Sequence, residues 1–496
     1  MKNELKFPHI LFSLVFFLLL IPTISAYSSY DKNPNKPVPP TQVSPVKEPP
    51  YLFSTEPVDS FVDKHFKNIP VLTEDLRFFI GGESRYRMEY RYDYDFNRGR
   101  DDSDAFSLFR NRVNGELKFQ NWISLFAEMQ DAQVVGSQTQ NQGNAFQNLI
   151  DLRQCFVELR WPEGKSFNLT GINLINHIIE HSLFKAGRQE LFYGDQRFIG
   201  VFDFSNVTQT FDALKYRYDT KARSLDFFWA RIVKIQDGES DSTANGNHLL
   251  GVYWTEKWIP NHVLDTFMFV RQNDSIRFFS ELPPVPGGTR ESGSLTEFTL
   301  GNRLKGNWKQ LDYETEYGLQ FGRRGGDDLL AFAFHQTVGY TFPIVFKPRP
   351  FVSYNFGSGD ENPTDGHFNI FDNLFPSNHD RYGLIDFASL QNISHVKIGC
   401  NIEPAPRLKV TPSFHFFYLD DNQSPWFSAA RTVIRNGQAG ASKTLGKEFD
   451  LVAWWQMAKH VRSSIGFAYW FSGPFVKDTG THNNAAFFYA QTQVNF

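Results

Sequence analysis

Side chains of two chemical classes alternate with a period of two along much of this chain, and this pattern constrains the fold more than any other feature. Between Ile80 and Phe96, the odd-numbered positions are mostly charged and the even-numbered positions are mostly aromatic. Successive side chains of a β-strand point to opposite faces, so the segment predicts a strand with one charged and one aromatic face. A soluble β-sandwich alternates in the same way with its apolar face inward, and one strand alone leaves both architectures open.

Repetition of the pattern favours a transmembrane barrel. We find about eighteen alternating segments between residues 78 and 496, most of them near the roughly 9 to 11 residues that a tilted membrane strand needs. Short turns alternate with long loops, as the turn at Asn121 and the loop 134–150 illustrate. Outer-membrane barrels have long extracellular loops and short periplasmic turns. We therefore predict an all-β fold, a transmembrane antiparallel β-barrel of about eighteen strands, in which the long connection 162–182 is an exception.

The N-terminus has the layout of a cleaved secretory signal peptide. Lys2 and Lys6 precede an apolar run from Ile10 to Ile21, which is too short to span a bilayer as a helix, and a small-residue site ends at Ala26. The Pro-rich stretch that follows cannot build ladders or helices and is typical of an extended linker. The sequence thus predicts three regions, which are a signal peptide at 1–26, a periplasmic linker at 27–76 and an outer-membrane β-barrel at 77–496.

Composition and motifs exclude several classes of protein. A net charge of -4 argues against nucleic-acid binding, and the two cysteines, Cys155 and Cys400, cannot form a four-cysteine zinc site. Both fall on the outward parity of their strands. No P-loop, zinc-protease or serine-hydrolase motif occurs, and the acidic loop at Asp360 lacks the spacing of a known calcium motif. We therefore predict no catalytic residue, no metal and no cofactor.

If the aromatic faces meet lipid, the opposite parity lines a lumen, and its early strands are basic. Arginine presents a planar fork that matches carboxylates, and charged rings in pores select solutes by sign. The pattern therefore predicts passage of an anionic, carboxylate-bearing solute. Parity places Arg160 inward and Arg153 outward. The predicted substrate-binding residues of the lumen are Arg85, Arg87, Arg91, Arg110, Arg112, Arg160, Arg188, Glu190, Lys215 and Arg217. Arg303, Lys305, Lys397 and Lys409 are further basic positions of this parity.

Three stretches of the sequence resemble the alginate export family of outer-membrane proteins. They begin at Phe184 (FKAGRQELFYGDQRFIGVFDFSN), at Ser358 (SGDENPTDGHFNIFDNLFPSNHDRYG) and at Leu445 (LGKEFDLVAWWQ), and the resemblance covers roughly residues 77–496. It implies an eighteen-stranded monomeric barrel with an electropositive constriction, through which a polyuronate passes outward from a periplasmic synthase and scaffold complex. The polymer contacts that it implies are Arg188 and Arg197, together with Arg153 or Arg160 and Lys215.

The sequence therefore predicts an outer-membrane channel of a Gram-negative-type bacterium that does no covalent chemistry. Its predicted cargo is an anionic, alginate-like polysaccharide that is passively exported through the arginine-lined lumen. Its predicted partners are this polymer, outer-membrane lipid and a periplasmic scaffold or synthase complex, with no nucleic acid. Two alternatives stay open, which are a general diffusion porin for small anions or sugars and a secreted all-β enzyme that acts on polysaccharide.

Overall fold

The computed structural model describes residues 69–71, 73–99, 102–138, 143–161, 173–284 and 288–496. In these ranges the chain is almost entirely β-structure, with two short helices, α1 (Asn173–Glu180) and α2 (Pro474–Asp478). Neither of these helices is long and apolar enough to cross a membrane. The strands, in chain order, are β1 (Ile69–Val71), β2 (Thr73–Tyr92), β3 (Asp104–Phe119), β4 (Ile123–Val135), β5 (Asn148–Arg160), β6 (Ser182–Gln189), β7 (Phe211–Asp219), β8 (Arg223–Lys234), β9 (Ser242–Glu256), β10 (His262–Phe279), β11 (Ser292–Trp308), β12 (Leu311–Arg324), β13 (Asp327–Tyr340), β14 (Arg349–Gly357), β15 (His367–Phe368), β16 (Ile393–Ala405), β17 (Leu408–Tyr418), β18 (Trp426–Phe427), β19 (Val433–Arg435), β20 (Thr444–Ala458), β21 (Val461–Ser472) and β22 (Ala485–Asn495).

Eighteen of these strands close into one antiparallel barrel, namely β2 to β14, β16, β17 and β20 to β22. Each of them pairs with the next barrel strand along the chain, and β2 pairs both with β3 and with β22, which completes the circle. The other four are short. β1 pairs with β2, β15 pairs in parallel with β13, and β18 and β19 form a separate hairpin. The predicted fold class and strand number are therefore confirmed.

Paired β-structure begins before the predicted start of the barrel. Ile69 of β1 pairs with Phe78, and β2 starts at Thr73, so the end of the stretch assigned to the linker belongs to the sheet. Pro70 is tolerated in β1 because β2 is the one partner of this short strand among the described strands, and an edge strand can lack a ladder donor. The predicted signal peptide and the linker up to residue 68 lie outside the described residues.

The two faces of the barrel strands meet different environments. On β2, Tyr86 and Tyr90 point outward and are 44% and 41% exposed, whereas Arg85 and Arg87 point inward and are 3% and 1% exposed. Many large apolar side chains on the other strands are exposed in the same way, and a band of this kind is covered by lipid in an outer-membrane barrel. The predicted separation of an aromatic outer face from an arginine-bearing lumen is confirmed.

The two ends of the barrel differ in the length of their connections. At the turn end, tight turns such as 220–222 and 406–407 join the strands. At the loop end, long connections join them, and two of these are named here the inner loop (190–210) and the long loop (358–392). The exceptional connection after β5 lies at the turn end and contains α1, while residues 162–172 are outside the described part of the chain.

The hydrophobic core lies inside the barrel, because the inner loop and the long loop fold into the lumen. They meet at a parallel bridge between Ile199 and Phe375. Phe198 of the inner loop and Phe371 and Leu384 of the long loop are buried in one apolar cluster with inward-facing residues of the strands. The lumen is thus narrowed by folded loops that the strands themselves hold in place.

Candidate functional site in the lumen

Four arginines on β2 and β3 form a basic patch on the lumen surface, named here the arginine wall (Arg85, Arg87, Arg110 and Arg112). All four are almost fully buried, and Arg85 lies directly opposite Arg110 across the strand pair. Like charges that face each other across strands destabilise a sheet, and buried charges need hydrogen-bonding partners. The wall therefore requires acceptors from elsewhere in the molecule.

The inner loop supplies these acceptors. Arg85 donates to the backbone oxygens of Asp203 (2.8 Å) and Ser205 (2.9 Å), and Arg110 donates to the same two oxygens at 3.0 and 3.1 Å. The Asp203 carboxylate lies 3.1 Å from Arg110 Nη2 and 3.4 Å from Arg112 Nη1. Burial alone would raise the pKa of the Asp203 carboxyl, but Arg110 and Arg112 hold it below its ordinary value. An ionised Asp203 thus latches the inner loop to the wall.

Phe204 connects the wall to the long loop. The Arg87 guanidinium lies 3.9 Å from the centre of the Phe204 ring, which is within the range of a cation–π contact. The same ring stacks on His379 of the long loop with centroids 3.4 Å apart, and His379 Nδ1 is 2.9 Å from Asp386. One aromatic ring therefore couples a barrel strand, the inner loop and the long loop.

A second ionic cluster surrounds Arg197 of the inner loop. Its Nη1 donates to carboxylates of Asp195 (2.8 Å), Glu314 (3.1 Å) and Glu316 (3.3 Å), and its Nη2 donates to His335 (2.8 Å). Burial alone would raise the pKa of the Asp195 carboxyl, but Arg197 holds it below its ordinary value. The acidic lumen positions around Glu314 thus have a structural role here, because they neutralise a buried arginine.

A cavity of about 520 Å³ lies against the inner and long loops, and its wall is predominantly basic. Its charged lining consists of Arg85, Arg381, Lys397, Lys409, Arg462, Asp203, Asp380 and Asp450, together with His379. Five cations thus face three carboxylates in one water-accessible space. A surplus of positive charge in a confined lumen attracts anionic solutes.

Two of the cations in this cavity have neither an ion pair nor a side-chain hydrogen bond among the described residues. Within the described residues, the side chains of Lys409 and Arg462 make no ion pair. The Arg462 guanidinium lies 4.2 Å from the Trp454 ring, which also lines the cavity. By contrast, Lys397 donates to the backbone oxygen of Asp380 at 2.8 Å. Lys409 and Arg462 are therefore the cations of this cavity most open to a bound carboxylate.

Three more of the predicted lumen residues face inward, but they are paired. Arg91 donates to Glu89 at 2.8 Å. Lys215 and Arg217 share Asp226, at 2.7 and 3.6 Å. The lumen thus contains the predicted basic side chains, although internal carboxylates occupy many of them.

The remaining predicted residues lie nearer the two ends of the barrel. Arg160, at the last position of β5, is half exposed at the turn end and lies 3.5 Å from Glu158. Glu190, the first residue of the inner loop, pairs with Arg153. Neither residue faces the 520 Å³ cavity.

The outward assignment of Arg153 is wrong. Its side chain is buried inside the barrel, where it pairs with Glu128 and Glu190. The register between β4 and β5 slips here, because Glu128 pairs with Gln154 and Met129 with Leu152, which leaves Arg153 as an extra residue. A bulge of this kind reverses the parity of the strand, and simple alternation cannot reveal it.

The inward assignment of Arg188 is also wrong. Arg188 pairs across strands with Cys155, which is exposed on the outside as predicted, and its Nε donates to Asp212 at 2.9 Å. Its parity is that of Phe184, which is 42% exposed. The basic side chain thus belongs to an ion pair on the outer face. The alternation alone indicates this, because Phe184 and Arg188 lie four residues apart on β6 and therefore share a face.

Sequence reasoning missed two cations of the cavity. Arg462 has the same parity as Ser464, Gly466 and Ala468, which face inward on β21, so the alternation carries the signal for it. Arg381 belongs to the long loop, and no periodicity in a loop predicts that it folds back into the lumen. Its Nε donates to the backbone oxygen of Asp195 at 2.9 Å.

The chain is similar to known proteins both in sequence and in fold. A sequence model described as alginate export matches residues 77–490. Solved structures with a similar fold include Pseudomonas aeruginosa OpdO (11% identity, TM-score 0.53, covering 84% of this chain and 97% of the other). They also include P. aeruginosa OccK2 (OpdF) in complex with glucuronate (11%, 0.52, 84% and 98%) and Acinetobacter baumannii OccAB2 (9%, 0.54, 84% and 98%). No curated protein sequence matches the chain.

Proposed function

The chain belongs to the alginate export family, and on that premise we propose that it passes a carboxylated polysaccharide, a polyuronate, through its lumen. The protein is an outer-membrane β-barrel channel and not an enzyme, which excludes the alternative of a secreted polysaccharide-acting enzyme. The proposed cargo goes further than the family and the fold, and it rests on the chemistry of the lumen.

The observation that carries the proposal is the surplus of cations in the 520 Å³ cavity, with Lys409 and Arg462 unpaired among the described residues. A polyuronate carries a carboxylate on each sugar, and lysine and arginine bind carboxylates through charge-assisted hydrogen bonds. Trp454 beside Arg462 adds a flat apolar face against which a sugar ring packs. Transport needs several weak sites of this kind, because binding must also permit release.

Passage of a chain also requires the inner loop to leave the lumen. The loop is held by backbone oxygens of Asp203 and Ser205 that accept from Arg85 and Arg110. A polymer carboxylate competes well for these arginines, because a hydrogen bond between two charged groups is stronger than one to a neutral carbonyl. The same guanidinium groups thus serve as a latch in the closed lumen and as a binding track in the open one.

Single-channel conductance of the purified barrel in a planar bilayer, with uronate oligomers as blockers, tests the proposal. Longer oligomers are expected to block at lower concentration, since they contact more cations at once. The double variant Lys409→Ala/Arg462→Ala should weaken the block, whereas Lys309→Ala, at an exposed turn between β11 and β12, should not. Block that is independent of oligomer length and unchanged in the double variant contradicts the proposal.

A diffusion porin for small anions or sugars is the second candidate function. It is favoured by the size of the cavity, since about 520 Å³ lies within the range of small-molecule sites. It is also favoured by the similarity in fold to OccK2, whose structure contains glucuronate. In this case single uronates should cross the barrel readily, and longer oligomers should neither block nor cross. The monomeric state and the contact with a periplasmic synthase or scaffold stay predictions from the family resemblance.

A further inference from the structure

The connection between β2 and β3 at the loop end carries a regular spacing of oxygen ligands. In this rim loop (the described residues 93–99 and 102), Asp93, Asp95 and Asn97 occupy alternate positions, and Asp102 follows. Calcium loops of the EF-hand type draw ligands from positions 1, 3 and 5 in the same way. The rim loop departs from that motif in two places, because Gly99 comes one position later and Asp102 comes two positions earlier than the last acidic residue of the motif.

The fold brings the three carboxylates together. One carboxylate oxygen from each of Asp93, Asp95 and Asp102 lies within 4.8 Å of the others. Asp93 is 3% exposed, yet among the described residues its Oδ2 has no hydrogen-bond donor, and Asp102 Oδ1 is likewise buried without a hydrogen-bond partner there. An ion pair from Asp93 to the exposed Arg98 Nε, at 3.8 Å, is longer than a hydrogen bond. Buried oxygens without partners are rare in folded proteins and call for a ligand.

We propose that Asp93, Asp95 and Asp102 bind one calcium ion at the loop end of the barrel. Ca²⁺ prefers 6 to 8 oxygen ligands, which three carboxylates, loop carbonyls and water together provide. Weak affinity is expected, on the order of 10⁻⁴ to 10⁻³ M, as in extracellular calcium modules. The proposal departs from the sequence expectation of no metal, and it is independent of the cargo of the lumen.

The ion would stabilise the loops that cover the lumen. Phe96, at the centre of the rim loop, is buried with its ring 5.0 Å from Phe387 of the long loop and 5.7 Å from Trp426 of β18. Its backbone oxygen accepts from Asn483 N at 3.0 Å, in the connection between β21 and β22. A calcium ion that rigidifies the rim loop therefore holds three neighbouring connections together.

Terbium luminescence provides a direct test on the full folded barrel in detergent. Tb³⁺ is a spectroscopic substitute for Ca²⁺, and Tyr94 inside the rim loop is positioned to sensitise it. We expect saturable Tb³⁺ emission that Ca²⁺ displaces at about 1 mM. The variant Asp95→Asn/Asp102→Asn should weaken Tb³⁺ binding at least tenfold, whereas Glu239→Gln, in the exposed connection between β8 and β9, should leave it unchanged.

Two controls keep the test decisive. Heat-modified gel migration reports whether each variant is folded, and the single variant Asp95→Asn replaces the double variant if the latter does not fold. Tyr94→Phe should reduce the sensitised emission while calorimetric binding of Ca²⁺ persists. Equal Tb³⁺ affinity in the wild type and the folded Asp→Asn variants, or emission that Ca²⁺ does not displace, overturns the proposal.

Discussion

Replacing Arg110 with alanine should open the lumen, because this side chain carries much of the latch on the inner loop. Arg110 donates to the backbone oxygens of Asp203 and Ser205 and pairs with the Asp203 carboxylate. Arg85 keeps its own bonds to the same two oxygens, so the change leaves neither carbonyl unpaired. The free energy lost is therefore only that of the Arg110 interactions themselves. The larger penalty for leaving a buried acceptor without a donor does not apply.

The effect on the equilibrium between the closed and the open inner loop can be calculated from the hydrogen bonds that Arg110→Ala removes. A hydrogen bond to a charged group contributes about 1.5 to 3 kcal/mol, and the lower value applies where a second donor remains. Two such bonds give about 3 kcal/mol, which corresponds to about a 100-fold larger population of the open inner loop. The stability of the barrel should change less. Glu83 also pairs with Arg110, but in the variant it retains its ion pair with Arg112 at 3.7 Å.

Single-channel recording measures this effect as the fraction of time spent at high conductance. Arg110→Ala should raise this fraction strongly at an unchanged yield of folded barrel. Arg188→Ala is the matched control, because Arg188 pairs with Asp212 on the outer face and does not contact the inner loop. If the folded Arg110→Ala barrel shows the same conductance as the wild type, the arginine wall does not hold the loop.

Three further predictions concern pH and stability. Burial, followed by the hydrogen bond with Asp360, raises the pKa of Glu281 to about 8. A raised carboxyl pKa stabilises the loop contact fully below the unfolded pKa, near pH 4.5, and this contribution is lost as the pH rises through about 8. The protection of 280–284 against hydrogen exchange, corrected for the intrinsic increase of exchange with pH, should therefore fall over that range, and Glu281→Gln should remove the fall. Arg153→Ala should lower the unfolding free energy by about 3 to 5 kcal/mol in denaturant titrations, because it strands the buried Glu128 carboxylate, whereas the half-exposed Arg160→Ala should cost at most about 1 kcal/mol. Gly187→Ala should reduce the yield of folded barrel on gels, because φ is +126° and a Cβ there would lie 2.3 Å from a backbone oxygen.

The strand faces could be predicted from sequence because a period of two leaves little freedom. Shifting a strand by one residue would place Arg85 and Arg87 in lipid and Tyr86 in the lumen, and the energetic cost excludes that arrangement. The same logic fails at Arg153, where a bulge inserts an extra residue into β5. It also fails where parity is applied inconsistently, as for Arg188, which shares the face of Phe184.

The interior of the barrel could not be predicted from the strands. Their sequence shows that Arg110 faces the lumen. It does not show that the inner loop folds in, covers Arg110 and brings Arg197 into the lumen with it. The long-range contacts of a loop leave no periodic pattern in its sequence. Aromatic residues of the inner loop, such as Phe198 and Phe204, are the available signal, because a solvated loop would not bury them.

Release of a polyuronate from liposomes tests the central claim most directly. Vesicles containing the purified barrel are loaded with a long, fluorescently labelled polyuronate and with a neutral polysaccharide of equal length. The account predicts that the polyuronate leaves, that the neutral polymer stays, and that Lys409→Ala/Arg462→Ala slows the release. Retention of the polyuronate in vesicles from which single uronates escape would contradict the account and support a small-solute porin.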